Sequence, residues 1–239
     1  MGEAGVSIIE ASIVLSVFAI LTAMLAPSIG GYISDAQHAA AKKDVEVLGS
    51  AVVRMLTDVG ETWILRDGNG GAATAPPSHA AANRVDLLVT SGAVPTVTVA
   101  RSTAGADWDD AVDNAAVQRL EYFLVQNTPS NLAANAYRTP ASMSVLAEFD
   151  PDSGAQYNAE HGWRGSYLPG PIGADPWGTR YGVNVEFLAR ALGAGPSGNV
   201  NDVFVVSAGP DRVVDTRFDL DGATTGNSDL VYIVSGGTR

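Results

Sequence analysis

The sequence predicts an α+β protein in which a long N-terminal helix packs against an antiparallel β-sheet. The region up to Val59 carries an apolar run and then apolar residues at three- and four-residue spacing, which is typical of a helix. Later segments, such as residues 202–206 and 230–234, are short runs of β-branched and aromatic residues between polar loops, which is typical of strands. These patterns indicate one α+β head attached to a helical stem.

The first predicted element is an apolar helix that begins with residues 6–27. No charged residue occurs between Ala11 and Ile29, and at ~1.5 Å per residue this run is long enough for a bilayer core of ~30 Å. The preceding residues include no Lys or Arg, unlike those of a secretory signal peptide. Glu10 lies at the edge of the run; an acid there marks either a function with a partner or a position at the lipid headgroups.

The helical pattern continues beyond Pro27 with apolar residues on one face, so this half should pack on the head. These residues are Val45, Leu48, Val52, Met55, Leu56 and Val59. We expect the helix to end near Gly60. Pro27 should kink or open it, because a proline ring removes one helical hydrogen bond and clashes with the preceding turn.

The middle region, about residues 66–160, should add one or two helices to the head. Helices are predicted near residues 83–92 and over 107–126, and a strand over 94–100. Residues 143–149 should form either a strand or a short buried segment. An acidic cluster begins the second of these helices, and it is either a metal site or, more often for such runs, a solvated first turn. The cluster consists of Asp107, Asp109, Asp110 and Asp113.

The C-terminal part combines a predicted turn with an acidic loop. Residues 175–178, DPWG, should form a turn that leads into a strand at 181–185. Five carboxylates then lie between the strands predicted at 202–206 and 230–234: Asp211, Asp215, Asp219, Asp221 and Asp229. They would repel one another unless a cation such as Ca²⁺, which prefers oxygen ligands, or the side chains of Arg212 and Arg217 intervened.

Three segments resemble type IV pilins and the pseudopilins of type II secretion. Residues 5–27, GVSIIEASIVLSVFAILTAMLAP, resemble the N-terminus of that family. Residues 162–168, GWRGSYL, and 175–181, DPWGTRY, resemble segments of the major pseudopilins. The resemblance covers roughly residues 5–59 and 160–234. It implies a pilin-like fold, in which a long kinked helix (6–59) carries a globular head (60–239).

The resemblance also implies how the N-terminus is processed and used. Residues 1–5 would be a leader, cut between Gly5 and Val6 by a prepilin peptidase, and Val6 would then be methylated. Val6, Glu10 and Pro27 would serve assembly. The physical argument agrees for Glu10, since the amine of a neighbouring subunit is its cheapest counter-charge in a dry helix bundle. That role requires the removal of residues 1–5.

A calcium site is implied by a further likeness. SAGPD…NSDLVY resembles the S-x-G-x-D…D loop with which such pseudopilins hold calcium. Asp211 and Asp229 match its acids, and a backbone oxygen near Ser207 would join them. The loop is longer than usual, so Asp215, Asp219 and Asp221 cannot be assigned by register.

The expected function is that of a structural subunit that polymerises with its own copies into an extracellular or periplasmic filament. Its other partners would be the inner membrane before assembly, the prepilin peptidase and the assembly machinery. The alternative is a membrane-anchored extracytoplasmic domain that uses the acidic loop for binding or catalysis. No metalloprotease, nucleophile-elbow or P-loop motif is present, so no enzyme is predicted. A net charge of −12 opposes nucleic-acid binding, and the absence of cysteine excludes disulfides.

Overall fold

The structure is a computed structural model that describes residues 7–59, 85–101, 105–112, 117–128, 131, 148–149, 156–157, 163–187, 202–219 and 228–235. Within these residues it has one long α-helix, α1 (Ile8–Val59), and a π-helical turn (Tyr122–Gln126). The strands are β1 (Leu87–Val89), β2 (Thr96–Val97), β3 (Val117–Arg119), β4 (Glu148–Phe149), β5 (Gln156–Tyr157), β6 (Gly182–Val183), β7 (Val203–Ser207), β8 (Val213–Val214) and β9 (Leu230–Ser235).

The chain divides into two compact units, Met1–Ala40 and Ala41–Arg239. We call the second unit the head. Helix α1 contributes its first part to the first unit and residues 41–59 to the head.

The predicted long N-terminal helix is confirmed over Ile8–Val59, and the predicted end near Gly60 lies outside the described residues. Its start is fixed by a capping box, in which the side chains of Ser7 and Glu10 accept the first free backbone N–H groups. The Ser7 N–H donates to Glu10 Oε2 over 3.1 Å, and the Ile9 N–H donates to Ser7 Oγ over 3.3 Å. The helix continues through position 27, so Pro27 does not end it.

The head contains a five-stranded sheet with the order β3-β1-β6-β7-β9. The β1–β6, β6–β7 and β7–β9 pairs are antiparallel, whereas β1 and β3 are parallel. The α+β class is therefore confirmed, but the expectation of a purely antiparallel sheet is wrong. The long connection from Val89 to Val117 permits this, because parallel neighbours need a crossover and cannot be joined by a tight hairpin.

The predicted packing of the second half of α1 is confirmed within the head. Its buried apolar residues lie in one core with the side chains of the sheet: Val45, Leu48, Ala51, Val52, Met55 and Leu56. Trp108 is buried in that core, and its ring centroid lies 4.7 Å from that of Phe218 and 5.6 Å from that of Phe204. The Trp108 Nε1–H donates to the Thr216 carbonyl over 2.9 Å, so the indole is buried with its polar atom satisfied.

The helix predicted near residues 83–92 is wrong, because Leu87–Val89 form β1. All three side chains of β1 are buried, and the strand pairs on both sides, with β3 and β6. Leucine favours a helix, but helix propensities of ordinary residues span only about 0.7 kcal/mol. Strand pairing and burial in the middle of a sheet outweigh that preference.

The helix predicted over residues 107–126 is also wrong except at its end, where residues 120–126 are helical. Its first part is a turn, in which the Asp110 N–H donates to the Asp107 carbonyl over 3.1 Å. Strand β3 and the π-helical turn follow, while residues 113–116 lie outside the described residues. The acids that suggested a helix start serve the turn instead, since Asp107 Oδ1 accepts the Trp108 N–H over 2.8 Å.

Several predicted strands are present with changed limits. Strand β2 occupies only part of residues 94–100 and pairs in parallel with β8, outside the main sheet. Strand β4 covers the end of the segment predicted at 143–149, and residues 143–147 lie outside the described residues. Strands β7 and β9 confirm the strands predicted at 202–206 and 230–234.

Candidate functional site

The first candidate site is the apolar surface of α1. The helix is long and apolar enough to cross a membrane, and none of its most apolar 18-residue window is buried. Because each helix position is rotated by ~100° from the one before it, the spacing of the exposed large apolar residues places them on every side of the helix. They are Ile8, Ile9, Ile13, Val14, Leu15, Val17, Phe18, Ile20, Leu21, Met24, Leu25, Ile29, Tyr32 and Ile33.

Glu10 is the acid at the start of this surface. Its Oε2 accepts the Ser7 N–H, and the side chain is exposed. Glu10 therefore has a local role, capping the helix, that the sequence analysis missed; the spacing Ser7-x-x-Glu10 was the available signal. Gly5 and Val6 lie outside the described residues, and the side chain of Pro27 is not described.

The second candidate site is the acidic loop between β7 and β9, where Asp229 has the central position. Asp229 Oδ2 accepts the N–H groups of Asp215 (3.0 Å) and Thr216 (2.7 Å) and the Thr216 hydroxyl (2.6 Å). Its Oδ1 is buried and has no hydrogen-bond partner. Burial raises the pKa of the Asp229 carboxyl above its ordinary value, although the hydrogen bonds from Thr216 act in the opposite direction.

Asp211 lies next to Asp229 through Ser228. The Ser228 hydroxyl donates to Asp211 Oδ2 over 2.7 Å, and Asp211 Oδ1 accepts the Val213 N–H over 3.1 Å. Gly209 allows the two segments to meet, because it has a φ of 71° and a side chain there would overlap the Ser228 carbonyl. The loop therefore places Asp211 in contact with Ser228, the residue that precedes Asp229.

Of the other predicted ligands, the backbone oxygen near Ser207 stays a prediction, while the buried Ser207 hydroxyl donates to Asp175 Oδ2 over 2.8 Å, and Asp175 begins the turn that the DPWG segment forms. The carboxylate of Asp215 accepts the Thr98 hydroxyl. Asp219 is buried and pairs with Arg217 over 2.9 Å, as the arginine-braced alternative expects, and Asp221 lies outside the described residues.

The fit of a calcium ion is therefore partial. Within the described residues there is no group of three or more His, Cys, Asp or Glu that could hold a metal. The buried and unpartnered Asp229 Oδ1, however, is the kind of oxygen that a hard cation satisfies. Asp229, and Asp211 through its contact with Ser228, are thus the residues that could hold Ca²⁺.

Within the head, tyrosines of residues 163–168 and 175–181 contact acids of the second half of α1, a role that the sequence did not predict. The Tyr181 hydroxyl donates to Asp44 Oδ2 over 3.0 Å. Burial, followed by the charge of Asp58, raises the pKa of Tyr167 to about 12, and Arg164 pairs with Asp58 over 3.3 Å. In both cases an acid of α1 meets a tyrosine of the motif. Only a three-dimensional contact reveals such pairs, since more than 100 positions separate the partners.

Arg180, in the second of these segments, is a buried cation that sequence analysis also missed. Its Nη2 donates to the carbonyls of Trp108 and Asp110, each over 2.6 Å. Burial lowers the pKa of its guanidinium, and the nearby carboxylates of Asp109 and Asp110 oppose that shift. The acidic residues of this turn therefore lie close to the positive charge of Arg180 inside the head. The sequence had suggested either a metal site or a solvated helix start for these acids.

Comparison of the chain with models of protein families, with curated proteins and with solved structures found no match.

Proposed function

We propose that the chain is a pilin-like structural subunit that polymerises through the apolar part of α1 into an extracytoplasmic filament. The single observation that carries this proposal is the apolar surface of residues 8–25 and 29–33, which is exposed on every side of the helix. A helix that is apolar all round needs lipid or other protein around it. A bundle of such helices from sister subunits would cover it after the chain leaves the membrane.

Two further features support a filament over a simple membrane anchor. Glu10 introduces a carboxylate into a surface that otherwise has no charge up to Ile33, and such an acid is costly in an apolar bundle without a cationic partner. The likeness of residues 5–27, 162–168 and 175–181 to pilins and pseudopilins supplies that partner, the amine of a neighbouring Val6. The processing at Gly5, the methylation and the assembly machinery belong to the same proposal.

Calcium at Asp211 and Asp229 is part of the proposed function. An ion there would satisfy Asp229 Oδ1 and stabilise the loop that joins β8 to β9. Calcium at about 100 times its dissociation constant should raise the free energy of unfolding by about 2.7 kcal/mol. Thermal unfolding with Ca²⁺ and with a chelator checks this, and Mg²⁺ is the control ion. Equal unfolding temperatures in all three conditions would contradict calcium binding, and the loop would then be stabilised by its own hydrogen bonds alone.

The assembly role of Glu10 is tested by two substitutions. Glu10→Gln keeps an oxygen for the capping box but removes the charge, whereas Glu10→Ala removes both. We expect filament yield, measured by sedimentation and electron microscopy, to fall at least about tenfold in both variants, a loss of about 1.4 kcal/mol or more per added subunit. Ser16→Ala, which removes a hydroxyl that binds only the Ser12 carbonyl, is the control. Normal filaments from Glu10→Gln would show that the charge is not needed.

A further inference from the structure

The exposed face of α1 in the head is positively charged, although the protein as a whole is strongly acidic. The chain has only two lysines, Lys42 and Lys43, which are adjacent and exposed, and Arg54 is exposed three turns later. Glu46 is the one acid on this face, because Asp44 and Asp58 are turned to tyrosines of the head. Two valines, Val47 and Val53, are 38% and 39% exposed between the charges. We call residues 42, 43, 46, 47, 50, 53, 54 and 57 the basic helix face.

The cations of the basic helix face have no partner in the described part of the chain. Lys42, Lys43 and Arg54 form no ion pair there, although Glu46 follows Lys42 by one helical turn. Other arginines of the head are matched, since Arg101 pairs with the buried Glu186 over 2.7 Å and Arg217 pairs with Asp219. The basic helix face therefore presents unmatched positive charge and apolar surface together.

The turn at residues 107–110 has the opposite charge. Asp107 and Asp110 are half-buried and accept backbone N–H groups, Asp109 is exposed, and none of the three carboxylates forms a salt bridge in the described residues. Arg180 lies beneath the turn and binds its carbonyl oxygens, so Asp109 is the carboxylate that the turn exposes on the surface. We call residues 107–110 the acidic turn.

We propose that the basic helix face of one copy docks against the acidic turn of a second copy. Charge complementarity selects this occupant, because heads that carry a net negative charge repel one another unless opposite charges meet at their contacts. The two surfaces are different patches of the same chain, so the contact is heterologous, and a heterologous contact that does not close into a ring generates an open filament. The inference thus rests on the proposed function and names the head contact that accompanies it.

The absence of native cysteines permits a direct test with two single-cysteine forms of the full chain in detergent. Ser50→Cys places a thiol on the basic helix face, and Ala111→Cys places one beside the acidic turn, and neither changes a charge. We expect mixtures to form the Ser50–Ala111 disulfide dimer about fivefold faster than either homodimer, and about 0.5 M salt should abolish the difference. Ile233→Cys, exposed on β9, replaces the Ala111 variant as the control.

Charge reversal completes the test. Lys42→Glu with Lys43→Glu, added to the Ser50→Cys chain, should remove the excess of the mixed dimer, and Asp109→Lys in the partner should restore it. The control Arg212→Glu changes an exposed cation outside the helix. An unchanged dimer ratio in the reversed chain would overturn the proposal, as would lysine-dependent binding to anionic vesicles without any mixed dimer. The disulfide measurement does not require filaments. A mixed dimer without filaments would contradict the proposed function but not this inference. Filaments that charge reversal does not affect would contradict this inference but not the proposed function.

Discussion

At the residue scale, Asp229 is the side chain on which the acidic loop depends. One carboxylate oxygen accepts three hydrogen bonds from Asp215 and Thr216, and all these groups are partly or fully buried. Asp229→Ala should lower the free energy of unfolding by about 3 kcal/mol, because buried donors lose their acceptor. Urea denaturation with a chelator present measures this effect without any contribution from metal. The matched change Asp211→Ala, at an exposed carboxylate, should cost less than about 1 kcal/mol, and equal losses would contradict the account.

The raised pKa of Tyr167 predicts that the head loses stability at alkaline pH. Its pKa is about 12 in the fold against an ordinary 10.0, chiefly because of burial. The folded state therefore holds the phenol proton more tightly than the unfolded state does. The stability linked to Tyr167 is full below about pH 10 and is lost as the pH rises toward about 12.

Denaturation curves from about pH 8 to pH 12, together with the absorbance of tyrosinate, measure this loss. Tyr167→Phe should make the decline in stability shallower over that range. Tyr122→Phe, at another half-buried tyrosine of the head, is the control. A decline of unchanged steepness in Tyr167→Phe would show that another group controls alkaline unfolding.

At the scale of elements, the packing of α1 on β9 depends on one glycine. The ring of Tyr232 lies against the helix backbone at Gly49, so a methyl group there would overlap it. Gly49→Ala should therefore destabilise the head by about 1–3 kcal/mol, despite the better helix propensity of alanine. Gly30→Ala is the matched control, because nothing lies within 4 Å of that position and no loss is expected. Thermal unfolding compares them, and a stabilised Gly49→Ala variant would mean that Tyr232 packs elsewhere.

The elements that sequence analysis predicted well are those whose patterns depend on nearby residues. The helix up to Val59 follows from its apolar spacing, and the DPWG turn follows from Asp175 at its first position, where it accepts the Gly178 N–H through its carbonyl. Strands β7 and β9 were also predictable, because both are runs of β-branched and aromatic residues.

The elements that were predicted wrongly are those that long-range contacts decide. Strand β1 is short and entirely apolar, and such a run has no periodicity that separates a strand from a helix. Strand β3 contains Gln118 and Arg119 and forms because β1 lies beside it in parallel. At the candidate site, the acids of the loop were identifiable, but the assignment of Asp219 to Arg217 and of Asp215 to Thr98 required the fold.

At the scale of the whole molecule, two exposed surfaces could bind partners. One is the apolar surface of the first unit, and the other is the charge pattern of the head, with its basic helix face and acidic turn. Both would be covered in a polymer, where lateral contact between helices supplies most of the buried apolar area and charge sets the register of the heads. Polymerisation would therefore explain both surfaces at once.

The most direct test of that claim is electron microscopy of the purified full chain and of shed surface material, combined with mass spectrometry of its N-terminus. The account predicts filaments whose subunits begin with a methylated Val6, and few or none from the Glu10→Ala variant. Monodisperse protein that retains Met1 and forms no polymer, even in membranes, would contradict it. The acidic loop around Asp211 and Asp229 would then be the site at which to seek a different function.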